Sequence, residues 1–330
     1  MARDALDGEA LARAVAGACG PGAVEGLRRL SGGASRETWA FDLVAADSTR
    51  RGLVLRRDPS GSAVGSSDRT TEFALLEAAA RAGVPVPRVL HLLTPADGLG
   101  DGFVMERVEG ETIARRILRD EEYADARNVL ATQCGTVAAR IHAVDTSTLP
   151  ALNVEGATEQ ITRYRSTLDM FGEPHPAFEL GLRWLADNIP DAQAAPTLVH
   201  GDYRLGNLIV GPEGLRAVLD WEISHLGDPI EDLGWLCVKS WRFGVVDKLV
   251  GGFGDIPDLL DAYEAAGGRK VDEATLRYWV AFGTLKWGVI CIAQAFTHLG
   301  GMQRSVELAT LGRRVAEMEW DLLGILDGGW

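Results

Sequence analysis

Asp202, Asn207 and Asp220 are the residues of this chain whose types and spacing can do chemistry. Asp202 lies in His200-Gly201-Asp202-Tyr203-Arg204-Leu205-Gly206-Asn207, a run that offers a carboxylate, a cation and a carboxamide in quick succession. A strand-turn-strand pattern then leads to Leu219-Asp220-Trp221-Glu222, which adds a second carboxylate. Transfer of a phosphoryl group to a hydroxyl needs such a set: one acid to orient the hydroxyl and accept its proton, and further oxygens to hold Mg²⁺ against the phosphates. On this reading Asp202 is the base, while Asn207 and Asp220 supply hard oxygen ligands of the kind Mg²⁺ prefers. Arg204 is close enough to the base for its guanidinium to offset charge on the transferred group. Each residue alone also fits a turn, a cap or a surface ion pair, and only their joint spacing favours the chemical reading.

The elements that must position these groups can be read around them. Thr197-Leu198-Val199 and Leu208-Ile209-Val210 are short apolar strands that bracket the first cluster, and Gly211-Pro212-Glu213-Gly214 turns the chain into a further strand ending at Leu219. Upstream, a helix over 7–17 precedes strands at 24–30, 37–44 and 52–57, and the Ser31-Gly32-Gly33-Ala34-Ser35 loop between the first two can present backbone N–H groups to phosphate. Phe73, Leu76 and Ala80 recur at helical spacing over 70–82, before Gly83 and two prolines stop the helix. Strands at 89–93 and 102–108 complete an antiparallel sheet. From 121 to 144, Val129, Leu130, Val137, Ala138 and Ile141 mark a helix packed on one face. The remainder reads as helices with Gly-rich breaks. Seven of nine tryptophans fall from Trp221 onward, so this region is either a large aromatic core or the wall of an acceptor pocket.

At 330 residues, two lobes with a pocket between them are expected, divided near 106–110 into 1–108 and 109–330. Hydrophobic content of 46% and charged content of 24% describe an ordinary folded protein. The net charge of −14 argues against a nucleic-acid surface, which would need clustered Lys and Arg. Cys19, Cys134, Cys237 and Cys291 lie too far apart for a C-x-x-C zinc site or a disulfide framework, and a reducing cytoplasm fits them best. No export signal and no membrane segment is expected, the apolar stretch from Trp287 to Phe296 being too short to span a bilayer.

The run from Leu198 to Ile209, followed by Val218-Leu219-Asp220-Trp221-Glu222 and Leu226-Gly227-Asp228-Pro229-Ile230-Glu231-Asp232-Leu233, resembles the aminoglycoside phosphotransferase and choline kinase superfamily. It looks most like the kinase-like domain fused to some acyl-CoA dehydrogenases, and like that domain's stand-alone bacterial relatives. The resemblance implies an α+β, two-lobed, protein-kinase-like fold, with a small antiparallel-sheet lobe and a larger, mainly helical one. It implies ATP and Mg²⁺ as cofactors, Ile209 as floor under the adenine, and 106–108, with Glu106 and Val108, as the hinge at the adenine edge. His200 would pack beneath the catalytic loop, which Asp228 and Asp232 would brace. The sequence departs from the family where the usual phosphate-binding Lys stands. Arg56 takes that place, with Glu72 as its expected partner; Arg57 is the inward residue if the strand register slips by one. The Ser31 to Ser35 loop also lacks the full G-x-G-x-x-G pattern.

The expectation is therefore an ATP-dependent kinase acting on a small-molecule hydroxyl, either a hydroxyacyl-type metabolite or an aminoglycoside-like compound. Trp221, Arg242, Tyr263 and Trp287 are candidates to face that acceptor. Two alternatives stay open: a catalytically silent nucleotide-binding regulatory module, and a metallohydrolase cluster of His200, Asp202, Asp220, Glu222 and His225.

Overall fold

The structure is a computed structural model and describes residues 6–30, 37–58, 69–191 and 195–329. Helix α1 (Gly8–Cys19), with Asp7 accepting the Glu9 amide as its N-cap, leads into β1 (Ala23–Arg29), β2 (Glu37–Val44) and β3 (Arg50–Arg57). After α2 (Arg69–Arg81) come β4 (Val89–Leu92) and β5 (Gly102–Glu106). These five strands form one antiparallel sheet in the order β1-β2-β3-β5-β4. The chain continues through α3 (Ala114–Arg119), α4 (Ala124–His142), α5 (Ala157–Phe171) and α6 (Pro176–Asp187). Two small sheets follow: β6 (Thr197–Val199) pairs with β9 (His225–Gly227), and β7 (Leu208–Gly211) with β8 (Gly214–Val218). Helices α7 (Ile230–Cys237), α8 (Ile256–Ala265), α9 (Glu273–Leu299), α10 (Val306–Leu311) and α11 (Val315–Leu326) complete the fold.

The expected α+β division is present: a sheet-rich N-terminal part followed by a mainly helical one. The sheet's two faces are treated differently. Phe41, Leu53, Leu55 and Val104 pack under α1 in a cluster of their own, whereas Val54, Phe103 and Met105 join α2 and the helices of the second part in one continuous core. The alternation follows from the two-residue side-chain period of a strand. A backbone bond from Val218 N–H to the Pro85 carbonyl (2.8 Å) also ties the two parts together.

Some expectations need adjustment. Val129 is 37% exposed, because it lies off the face that α4 turns inward with Leu130, Ala131, Cys134, Val137, Ala138 and Ile141. The strand expected over 102–108 ends at Glu106. The apolar stretch beginning at Trp287 is part of a 27-residue helix, long and apolar enough by length and composition to cross a membrane. That helix is the central core helix, packed against α7, α6 and α11, and its apolarity is accounted for by burial.

Candidate active site

The loop 200–207 connects β6 to β7, and its shape is set by a buried carboxylate. Asp232, on the first turn of α7, accepts the amides of His200 (2.8 Å, Oδ2) and Gly201 (2.9 Å, Oδ1). His142 of α4 donates from Nε2 to the same carboxylate (3.1 Å), and Tyr263 Oη reaches the other ring nitrogen at 3.0 Å. Burial would raise the Asp232 pKa, but these donors hold it below the usual carboxylate range. Gly201 adopts φ +82°, and a Cβ there would lie 2.7 Å from the Ile223 carbonyl, so both backbone conformation and space call for glycine.

His200 packs beneath the loop, as expected. Its Nδ1 accepts the Asp202 amide (3.2 Å), which requires Nε2 to carry the proton that goes to the Leu219 carbonyl (3.0 Å). Burial lowers its pKa and keeps the ring neutral. His225 likewise uses both nitrogens, on Glu231 and the Ile223 carbonyl. Neither imidazole has a nitrogen left for a metal, which counts against the metallohydrolase cluster.

Asp202 is held from both sides. Its Oδ1 accepts Arg204 Nε (2.9 Å) and the Trp235 indole N–H (2.8 Å), while Oδ2 accepts the Asn207 amide nitrogen (2.6 Å). Because Asn207 spends its NH₂ on Asp202 and on the Asp202 carbonyl (2.9 Å), the carboxamide is turned so that Oδ1, with no hydrogen bond among the described residues, points away from Asp202. The Asn207 carbonyl accepts the Leu219 amide (2.8 Å), which sets Asp220 beside this oxygen's backbone. Asp220 has φ +70°, a left-handed conformation that costs an Asp about 1–3 kcal/mol and is concentrated at functional sites. One neutral and one anionic oxygen make a donor set that fits Mg²⁺.

Arg56, 14% exposed, joins the sheet to this loop. Its Nη1 is 2.8 Å from Glu72 Oε1 and its Nη2 2.8 Å from Asp220 Oδ1, with Glu222 at 3.8 Å. The register question is thus resolved in favour of Arg56, since Arg57 pairs with Glu37 and the Leu99 carbonyl on the other side of the strand. Glu72 is fully buried and also pairs with Arg69, which reaches Asp58 at 3.4 Å. At the chain's exit from β5, the Glu106 side chain is committed to Arg88 and Arg51, and Arg88 with Arg51 holds its carboxyl low. Val108, just beyond, makes no backbone hydrogen bond among the described residues. Ile209 lies on β7 against Gly110. Ser31, Gly32, Gly33 and Ser35 lie outside the described residues.

The geometry corrects three readings. Among the described residues Asp228 bonds not to the 200–207 loop but to the Ile230 amide, which it accepts, and to Arg269 (2.6 and 2.8 Å). Trp221 is fully buried against His200 and donates to the Val218 carbonyl, and Tyr263 is buried on His142, so neither faces an acceptor. Trp287 meets Trp241 with the rings tilted 55° to each other, and Trp241 in turn meets Trp235 and carries the Arg204 guanidinium 4.6 Å from its ring centre.

Sequence reasoning missed Trp235 and Lys286. Lys286 donates to the Gly201 carbonyl (2.9 Å) and to Glu231 (3.2 Å), and its Nζ sits 4.6 Å from the Trp235 ring centre. A lone Lys inside a long apolar helix was the available signal, since such a charge is buried only when paired. For Trp235 the signal was its i,i+3 spacing from Asp232 on α7, which sets both side chains towards the same loop.

The family model described as the phosphotransferase enzyme family (APH) matches residues 26–278, well over half of the sequence. The chain belongs to this family. It is a phosphotransferase, as its resemblance to the aminoglycoside phosphotransferases anticipates. It is 36% identical over 203 residues to acyl-CoA dehydrogenase family member 10 of Mus musculus, a match covering 58% of this chain and 18% of that protein. It is 30% identical over 288 residues to the probable acyl-CoA dehydrogenase IBR3 of Arabidopsis thaliana, covering 77% of this chain and 34% of that protein. The chain therefore spans only about a fifth to a third of these relatives. Among solved structures, a putative aminoglycoside phosphotransferase from Ralstonia eutropha is similar with a TM-score of 0.75 at 24% identity, covering 96% of this chain and 98% of that one. A spectinomycin phosphotransferase solved with ADP and spectinomycin is similar with a TM-score of 0.67 at 14% identity, covering 96% and 98%. These likenesses show the two-lobed kinase-like fold.

Proposed function

We propose that the chain is an ATP-dependent small-molecule kinase that transfers the γ-phosphoryl of Mg-ATP to a hydroxyl. The observation that carries this is the orientation of Asn207: its amide nitrogen is fixed on Asp202, so one carboxamide both holds the base and directs an oxygen towards a cation shared with Asp220. Mg-ATP, when bound, supplies the phosphoryl group and the metal charge that stabilises its oxygens. Asn207 and Asp220 would hold the metal. Arg56, steadied by Glu72, would give up Asp220 as its partner in favour of phosphate, for which its planar fork is suited. Asp202 would accept the acceptor's proton, with Arg204 and Trp235 holding its carboxylate in place and spreading its charge. Val108 and Ile209 would frame the adenine. Residues 1–108 serve as the nucleotide lobe and 109–330 as the catalytic and acceptor lobe.

For the acceptor, the resemblance to acyl-CoA dehydrogenase relatives favours a hydroxyacyl-type metabolite over an aminoglycoside-like compound. The test is ATP turnover with Mg²⁺ across a panel of hydroxyl compounds, together with a thermal shift by Mg-ADP. Nucleotide at a hundredfold its Kd should stabilise the protein by about 2.7 kcal/mol. No shift and no phosphorylated product would sink the proposal, whereas a shift without product from any acceptor would favour the silent module.

A further inference from the structure

We propose that the groove between the turn Lys239–Arg242 and α11 binds an oxyanion, a carboxylate or phosphate group carried by the acceptor, with Arg242 as its principal donor. This rests on the kinase reading of Asp202. Arg242 is 3% exposed, yet among the described residues it pairs with no carboxylate: Nε and Nη2 both donate to the Cys237 carbonyl, at 3.3 and 2.8 Å. Its Nη1 has no partner among the described residues and is not sealed from solvent, and the side chain lines a groove of about 810 Å³. Burial draws the guanidinium's pKa down, opposed by Cys237 and Asp321. A cation so placed gains most from an anion that completes its hydrogen bonds.

The other charges in the groove leave room for that anion. Arg115, Lys239 and Arg314 line it with Arg242, against two carboxylates that are already engaged: Asp321 with Lys239 (2.6 Å) and Glu317 with Arg314 (3.3 Å). Four cations against two carboxylates make a positive pocket in a chain of net charge −14. Its apolar wall includes Val246 and Trp320, the latter 77% exposed, which suits a carbon skeleton beside the anionic group. Trp241, the residue before Arg242, carries on its ring the Arg204 guanidinium that binds Asp202, so one residue of chain separates the groove's principal cation from a side chain in contact with the Asp202 cluster. The proposal assigns the hydroxyl at Asp202 and the anion at Arg242 to one molecule. The same charge disfavours a polycationic acceptor.

Calorimetric titration of the Mg-ADP complex tests this with three probes: straight-chain hydroxycarboxylates of increasing length, the matching hydroxyalkyl phosphates, and the neutral methyl esters of the acids. An anionic probe should bind about tenfold or more tighter than its ester, as expected for a charge-assisted contact. Whether the acid or the phosphate binds better identifies the anion. Arg242→Met should abolish the preference and leave Mg-ADP affinity unchanged; Arg115→Glu, at an exposed position, should weaken it several-fold without disturbing the fold. Equal binding of ester and anion, or a preference that survives both substitutions, would overturn the proposal. If Mg-ADP itself does not bind, the kinase reading fails, and the same titration on nucleotide-free protein still decides the anion groove.

Discussion

Asp202 accepts three side-chain N–H groups, from Arg204, Trp235 and Asn207, and this is the part of the site whose chemistry depends most on single atoms. Trp235→Phe keeps the ring in the tryptophan cluster and removes only the indole donor to Oδ1. It should lower kcat about tenfold, with little change in nucleotide KM, because one hydrogen bond to a charged group is worth about 1.5–3 kcal/mol before compensation. Steady-state kinetics check this, and an unchanged kcat would show that the bond is incidental. Arg56→Lys tests the other side of the cleft. A single ammonium cannot span Glu72 and Asp220 as the guanidinium does, so KM for ATP should rise roughly three- to tenfold with the protein still folded. Asp202, Asn207 and Asp220 were legible in the sequence because their spacing is local to one loop and one hairpin. Trp235 and Lys286 were not, because their partners are 33 and 85 residues away and only the folded packing brings them together.

The elements act as brackets for the catalytic loop. Helix α7 carries Glu231 and Asp232 on its first turn and Trp235 on the next, and Lys286 of α9 bonds to Glu231 and lies over the Trp235 ring. Glu231 sits among Lys286, His225 and Gln160; burial would raise its pKa, yet Lys286 and then His225 hold it far below the usual range. Lys286→Met should therefore destabilise the protein by about 3–5 kcal/mol, since it leaves a buried carboxylate short of its main countercharge. Adding Glu231→Gln should recover part of that loss, a coupling that urea denaturation of both variants would reveal and that strict additivity would contradict. The elements themselves were largely legible: the bounds of β2 follow from its β-branched and apolar run, and α2 from its apolar spacing and the Gly83 stop. Two misreadings have physical causes. Asp228 stands four residues before Asp232, just ahead of α7, where it accepts the Ile230 amide and Arg269 holds it. Val129 stands at the edge of the buried stripe of α4, and apolar spacing alone does not say on which side of Leu130 that stripe ends.

At the scale of the whole molecule, one core runs from the inner face of the sheet into the helices, so the catalytic loop is anchored to the same mass of side chains as Arg56. Its pH response follows from the buried groups. His200 is kept neutral by burial, below its ordinary value of 6.5, so the unfolded chain takes up a proton that the folded one refuses, and this group's contribution to stability is lost as pH falls through 6.5. His225, raised by Glu231 against the effect of its burial, acts in the opposite sense. The diagnostic quantity is thus a difference: the stability of the wild type minus that of His200→Gln, which keeps one donor and one acceptor, should shrink from about pH 8 to about pH 5. A constant difference would place the ring's titration outside that window. The two-part layout was legible from length and the order of strands and helices; the shared core was not, because it depends on which face of β3 and β5 turns towards α2. The central claim is that Asp202 is the base of a Mg-ATP-dependent transfer to a hydroxyl. Mass spectrometry of a metabolite extract incubated with Mg-ATP and either wild type or Asp202→Asn tests it most directly. The account predicts a metabolite that gains a phosphoryl group with the wild type and forms on the order of a thousandfold more slowly with the variant, while both bind Mg-ADP alike. Equal product from the two proteins, or no product from the wild type, would contradict it.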